Sequence, residues 1–111
     1  MKDFYGTPLP TNVPQLDQQN TVTIHNNFDD TTEKTLYYTP DKDGIFVLGC
    51  SYVAGSYVHI LDEDAPVYMR IVAHASGSGH LGQSSGMGLA YKGHKYRCGC
   101  KRAQWFFIPY K

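Results

Sequence analysis

The residues closest to a metal-binding set are Cys98-Gly99-Cys100 with His94 just before them, and Cys50, His74 and His80 could join. Zinc takes about four converging ligands, usually from cysteines separated by two to four residues. On a strand, Cys98 and Cys100 point to the same face, and both sulfurs do not easily wrap one ion. A disulfide at that spacing is strained. The expectation is therefore two buried thiols on one face, with no metal and no cofactor.

The five histidines raise acid–base or nuclease chemistry. A general base needs an orienting partner, yet no two histidines stand at i, i+2 or i, i+4 spacing with a carboxylate beside them, and the basic half holds no acid, so a carboxylate would have to come from the N-terminal half. His25 and His59 fall mid-strand, as packing or interface residues. The chain is expected not to be an enzyme. Ala75–Gly88 is rich in glycine and serine, but a P-loop ends in Gly-Lys-Ser/Thr and runs into a helix, whereas Ser85-Gly86-Met87-Gly88 leads into a strand. A flexible surface loop fits this stretch, with His80 and Gln83 as candidate ligand contacts, since binding residues concentrate on loops carried by rigid scaffolds.

Nine tyrosines exceed what a small core needs. Tyrosine pairs apolar area with a hydroxyl that can meet sugar hydroxyls, which makes Tyr52, Tyr57, Tyr91 and Tyr96 candidate receptor contacts, with Tyr68 a further exposed candidate. Lys92, Lys95, Arg97, Lys101 and Arg102, interleaved with Tyr96 and Trp105, could instead stack and neutralise a nucleic-acid strand or another anionic polymer.

The elements that must position these residues are strands. In 111 residues there are two glutamates, few leucines and alanines, 11 glycines, 6 prolines and 14% aromatics. Strong helix formers are scarce, while strand and turn residues abound. A helical bundle and a Rossmann-like enzyme are excluded, and 41% hydrophobic content excludes a disordered tail. Residues 1–19, with Pro8, Pro10 and Pro14, read as an extended arm or linker. Residues 20–111 read as one domain of short strands: 21–25, 34–39, 45–52, 57–61, 67–74, 89–91, 95–100 and 104–111, separated by Gly/Pro turns. The pattern predicts an all-β sandwich or jelly roll of about eight short antiparallel strands.

Charge is split. Residues 1–64 hold all ten acidic groups against Lys2, Lys34 and Lys42, and residues 65–111 hold seven basic groups and no acid. Such a split can mark a polyanion-binding half, but a net charge of zero exerts no long-range pull on a polyanion. The expectation is acidic and basic strands lying side by side. No apolar run of about 18 residues occurs, so no membrane insertion is expected. The first residues carry no apolar signal segment, which predicts synthesis in a reducing cytoplasm without a secretory signal.

The order of pieces carries a resemblance. Tyr-Thr-Pro-Asp-Lys-Asp-Gly-Ile-Phe-Val-Leu-Gly at 38–49, Met-Gly-Leu-Ala-Tyr-Lys-Gly-His-Lys-Tyr-Arg at 87–97 and Trp-Phe-Phe-Ile-Pro-Tyr-Lys at 105–111 resemble successive strands of the C-terminal head domains of phage tail fibres and baseplate tips. His94 stands where that family more often has aspartate, and the long glycine–serine stretch is a second departure. The resemblance spans about residues 20–111. It implies a sandwich of the tumour-necrosis-factor or complement-head kind, assembled as a homotrimer at the tail tip of a virion, that binds a bacterial cell-surface glycan or anionic polymer. A sandwich of 12.5 kDa with strands apolar on both faces has more apolar surface than one core absorbs, and trimer burial would take up the excess. Trp105, Phe107 and Tyr110 in the terminal strand are the candidate trimer-interface residues.

Overall fold

A computed structural model describes residues 15–79 and 84–111. Eight strands form: β1 (Val22–Asn27), β2 (Lys34–Tyr38), β3 (Gly44–Cys50), β4 (Tyr57–Asp62), β5 (Ile71–Ser76), β6 (Ser84–Ala90), β7 (Tyr96–Lys101) and β8 (Ala103–Pro109). They build two antiparallel four-stranded sheets in the orders β1-β8-β3-β6 and β2-β7-β4-β5. Every connection except β4–β5 crosses from one sheet to the other. The chain is the all-β sandwich that its strand pattern predicts.

Alternation decides what fills the space between the sheets. One sheet contributes Phe46, Leu48, Cys50, Ala103, Trp105 and Phe107, and the other Val58, Ile60, Ala73, Ala75, Tyr96, Cys98 and Cys100, all buried. Large rings gather at one end of the core. Phe46 meets Tyr96 edge-on at 4.7 Å and Trp105 at 5.2 Å, and Tyr38 closes over Phe107 at 5.6 Å. Each such ring withdraws enough apolar area to stabilise the fold by about 1.5–3 kcal/mol. Alanines and thiols, Ala75, Ala103, Cys50 and Cys100, fill the other end. Cys50, Cys98 and Cys100 are free thiols. Burial pushes the Cys50 thiol up, and the Cys100 hydrogen bond followed by burial pushes Cys98 up, so neither is a ready thiolate.

Two elements differ from the sequence expectation. Val67–Met69 is a single 3-10 turn, and the fifth strand begins only at Ile71. Pro66 offers its carbonyl to the Met69 N–H at 2.7 Å, and the Arg70 side chain donates to the Ala65 carbonyl, which folds the segment back on itself. The glycine–serine stretch, in turn, is not all loop. Residues 84–90 pair with β3 along its whole length, from Cys50–Ser84 to Gly44–Ala90. Glycine is required there because β5 crosses close behind: a Cβ on Gly88 would stand 2.5 Å from Val72 Cγ1 and 2.9 Å from its carbonyl. Close approach, not flexibility, explains that glycine.

The end of the expected arm lies against the same chain. Leu16 bridges Tyr110, the Asp17 N–H reaches the Pro109 carbonyl at 2.8 Å, and the Lys111 N–H reaches the Gln15 carbonyl at 2.8 Å. The acidic and basic halves interleave, because β7 runs between β2 and β4. Glu63 lies 3.6 Å from Arg97 and 3.8 Å from Lys95, and the Asp64 carboxylate accepts the Lys95 N–H.

Candidate functional site

Register places three cross-strand rows on the outer face of the β1-β8-β3-β6 sheet. They are Thr23–Phe106–Val47–Met87, Ile108–Ile45–Leu89, and Asn26–Gln104–Gly49–Ser85. The first two rows hold six apolar side chains, with Met87 68% and Leu89 54% exposed. No charged residue occurs in any of the three.

The outer face of the β2-β7-β4-β5 sheet has the opposite character. Its rows are Tyr37–Arg97–Leu61–Ile71, Thr35–Gly99–His59–His74, and Lys101–Tyr57–Ser76. Here a groove of about 400 Å³ opens over Gly99, lined also by Glu33, Thr35, Tyr57, His59 and Arg97. Its floor exists because position 99 has no side chain: a Cβ there would come 2.5 Å from His59 Nε2. The His59 ring therefore lies over the β7 backbone, parallel to Tyr57 within 11° at 5.7 Å. Burial, then the neighbouring Glu33 carboxylate, pushes the Tyr57 hydroxyl above its ordinary range. The groove offers an aromatic wall, the Thr35 hydroxyl, a carboxylate and a guanidinium, groups that can recognise a polar ligand.

A second cleft, of about 450 Å³, lies between the 3-10 turn and the β6–β7 turn. His94 Nδ1 is 2.8 Å from the Asp62 carboxylate, whose other oxygen accepts the Asp64 N–H at 2.9 Å. Tyr96 ties into the same group: its hydroxyl accepts the Tyr91 N–H at 2.7 Å. Burial, outweighing that N–H donation, drives its pKa up to about 12. The carboxylate partner that the acid-free basic half could not supply to His94 thus comes from 32 residues away. It cross-links two turns.

The residues expected from sequence do not gather into one site. Tyr52, half exposed, sits in the turn after β3, and Tyr91 sits at the other end of the sandwich, in the turn after β6 beside His94. Tyr57 alone lines the groove over Gly99. Tyr96 is corrected: it is fully buried under Phe46, so it is a core residue and not a ligand contact. His80 and Gln83 lie outside the described residues. Trp105 and Phe107 are corrected as well. Both are 1% exposed within a single chain, because odd-numbered positions of β8 face inward. Their even-numbered neighbours Phe106 and Ile108 carry the outward apolar surface. Tyr110 is half-buried beyond β8, paired with Leu16. The cysteines face the core while His74 is exposed on the outside of the sheet, so these candidate metal ligands do not converge. Among the described residues no three His, Cys, Asp or Glu side chains cluster as metal ligands.

Sequence reasoning missed His59 and Gly99 as partners. The signal was present: once Cys98 and Cys100 point inward, Gly99 must point outward and leave a notch on a sheet surface.

Comparison with protein-family models, curated proteins and solved structures finds no match to this chain.

Proposed function

We propose that this protein is a non-enzymatic, homotrimeric receptor-binding domain of a phage or prophage fibre or baseplate tip, recognising a bacterial surface glycan. The observation that carries the reading is the contrast between the two outer faces. An uncharged face with Phe106, Val47, Met87, Ile108, Ile45 and Leu89 in two adjacent rows is costly to leave in water. Copies of the same chain are the occupant that suits it: around a threefold axis one part of the face meets a different part of the next copy's face, and no part of it carries a charge that would oppose this. The opposite face, with Tyr57, His59, Thr35 and Arg97, is then left outward for a ligand. The alternation of strands between the sheets is that of a jelly roll, the architecture that the resemblance to tail-fibre heads implies.

The alternative, a polyanion- or nucleic-acid-binding surface on the basic half, has weaker support. Glu63 sits beside Lys95 and Arg97, which breaks the cationic stripe that such binding uses. The test is binding of the intact protein to a panel of bacterial surface polysaccharides and to single-stranded DNA. Saturable binding to a polysaccharide that persists at physiological salt supports the proposal. Binding to DNA alone, falling steeply with salt, replaces it with the alternative.

A further inference from the structure

We propose that the groove over Gly99 is a subsite for an acidic sugar, a pyranose ring bearing a carboxylate or phosphate. This rests on the receptor-binding reading above and names the ligand class for it. Four features converge. Gly99 lets the His59 imidazole lie flat over β7, where a Cβ would displace it, and the groove opens beside that ring between β2 and β4. Tyr57 and His59 stand parallel along one side and present flat surface for the apolar face of a sugar ring. Thr35 lies across the floor from His59, in the same cross-strand row, as a hydroxyl partner. Arg97 and Lys101 flank Gly99 two residues to either side along β7, so both project to the groove's face. Lys101 forms no ion pair among the described residues, and Arg97 keeps only a 3.6 Å contact with Glu63.

Charge separates this ligand from a neutral sugar. The groove's one carboxylate, Glu33, is outnumbered on this face by Arg97 and Lys101. Two cations, with His59 and His74 in the adjoining row, therefore face an anionic substituent. A guanidinium binds a carboxylate or phosphate through paired hydrogen bonds, and a sugar without that charge would leave these cations solvated and unused.

The experiment is a titration of the wild-type protein with tetragalacturonic acid, glucose 1-phosphate and maltotetraose, followed by amide chemical shifts. The subsite predicts shifts centred on Gly99, Thr35 and His59, and affinity for at least one anionic probe about tenfold above maltotetraose. Whichever anionic probe binds distinguishes a carboxylate from a phosphate ligand. Gly99→Ala, which forces the His59 ring aside, and His59→Ala should each weaken binding at least fivefold. Arg97→Gln should reduce the preference over maltotetraose to within about threefold. Equal binding of maltotetraose, shifts confined to other surfaces, or unchanged affinity in His59→Ala would each overturn the assignment. No binding of either anionic probe by an intact trimer overturns the subsite while leaving the receptor-binding reading in place. Binding at Gly99 by a protein that stays monomeric supports the subsite and sinks the trimer.

Discussion

The two outer faces of this sandwich are built by the same alternation and differ in nearly every side chain. On one, β8, β3 and β6 turn Phe106, Val47, Met87, Ile108, Ile45 and Leu89 outward. On the other, β7 and β4 turn Arg97, Gly99, Lys101, Tyr57 and His59 outward. The inner faces meet in one core, and the buried Asp62 at the end of β4 is its one charged side chain among the described residues. A sheet with one wetted face should read as apolar alternating with polar. The β2-β7-β4-β5 sheet does so apart from Tyr37, Leu61 and Ile71 in one row, whereas the other sheet is apolar on both faces, and that second face is what the proposed association would cover.

The largest expected effect pits neighbouring residues of β8 against each other. Phe107→Ala removes a buried ring and should cost about 3–5 kcal/mol of stability, measured by chemical denaturation. Phe106→Ala should cost the isolated chain under about 1 kcal/mol while weakening association. If the two substitutions destabilise the chain equally, the division of β8 into an inner and an outer row is wrong.

Gly88→Ala comes next. Its Cβ would press on both Val72 Cγ1 and the Val72 carbonyl, and the latter cannot rotate away. A loss of about 1–3 kcal/mol is expected from that overpacking. Gly99→Ala, whose Cβ meets only the end of the His59 side chain, should leave the melting temperature within a few degrees of wild type. Equal losses at the two glycines would erase the distinction between a packing glycine and a groove glycine.

Alkaline stability tests the Tyr96 environment. Unfolded tyrosine ionises near 10, whereas Tyr96 holds its proton to about 12. Its contribution is therefore complete below pH 10 and is lost progressively as pH rises through 12. Unfolding free energy measured from pH 8 to pH 12 should fall over that window, and Tyr96→Phe should flatten part of the fall. An identical decline in the variant would remove Tyr96 as a cause.

The smallest effect concerns Arg102, the single residue between β7 and β8, which has φ 51°. Glycine adopts that conformation without the Cβ penalty. Arg102→Gly should change stability by no more than about 1 kcal/mol, in the stabilising direction. A large loss would mean that the 3.4 Å contact from Arg102 Nη1 to Ser56 Oγ matters more than its length suggests.

The strand inventory was legible because turn residues and short alternating runs are local signals. Seven of the eight strands fall where those signals stand, and β6 was found only at its end, since its Gly86 and Gly88 answer to β5 rather than to local preference. Parity was harder. In Trp105-Phe106-Phe107-Ile108 every residue is apolar, so sequence could not say which two face the core, and the interface candidates landed on the wrong pair. The groove was illegible for a related reason. Gly99 and His59 are 40 residues apart, and only strand register sets them opposite one another. The Asp62–His94 contact escaped notice for the same cause.

The central claim is that the uncharged face of the β1-β8-β3-β6 sheet is covered by copies of the chain. It is tested most directly by the solution mass of the wild type and of Val47→Asp, measured by light scattering after size exclusion. Association predicts about 37.5 kDa for the wild type, three chains of 12.5 kDa, and a folded species of 12.5 kDa for the variant. A wild type that remains at 12.5 kDa at every concentration would contradict the account.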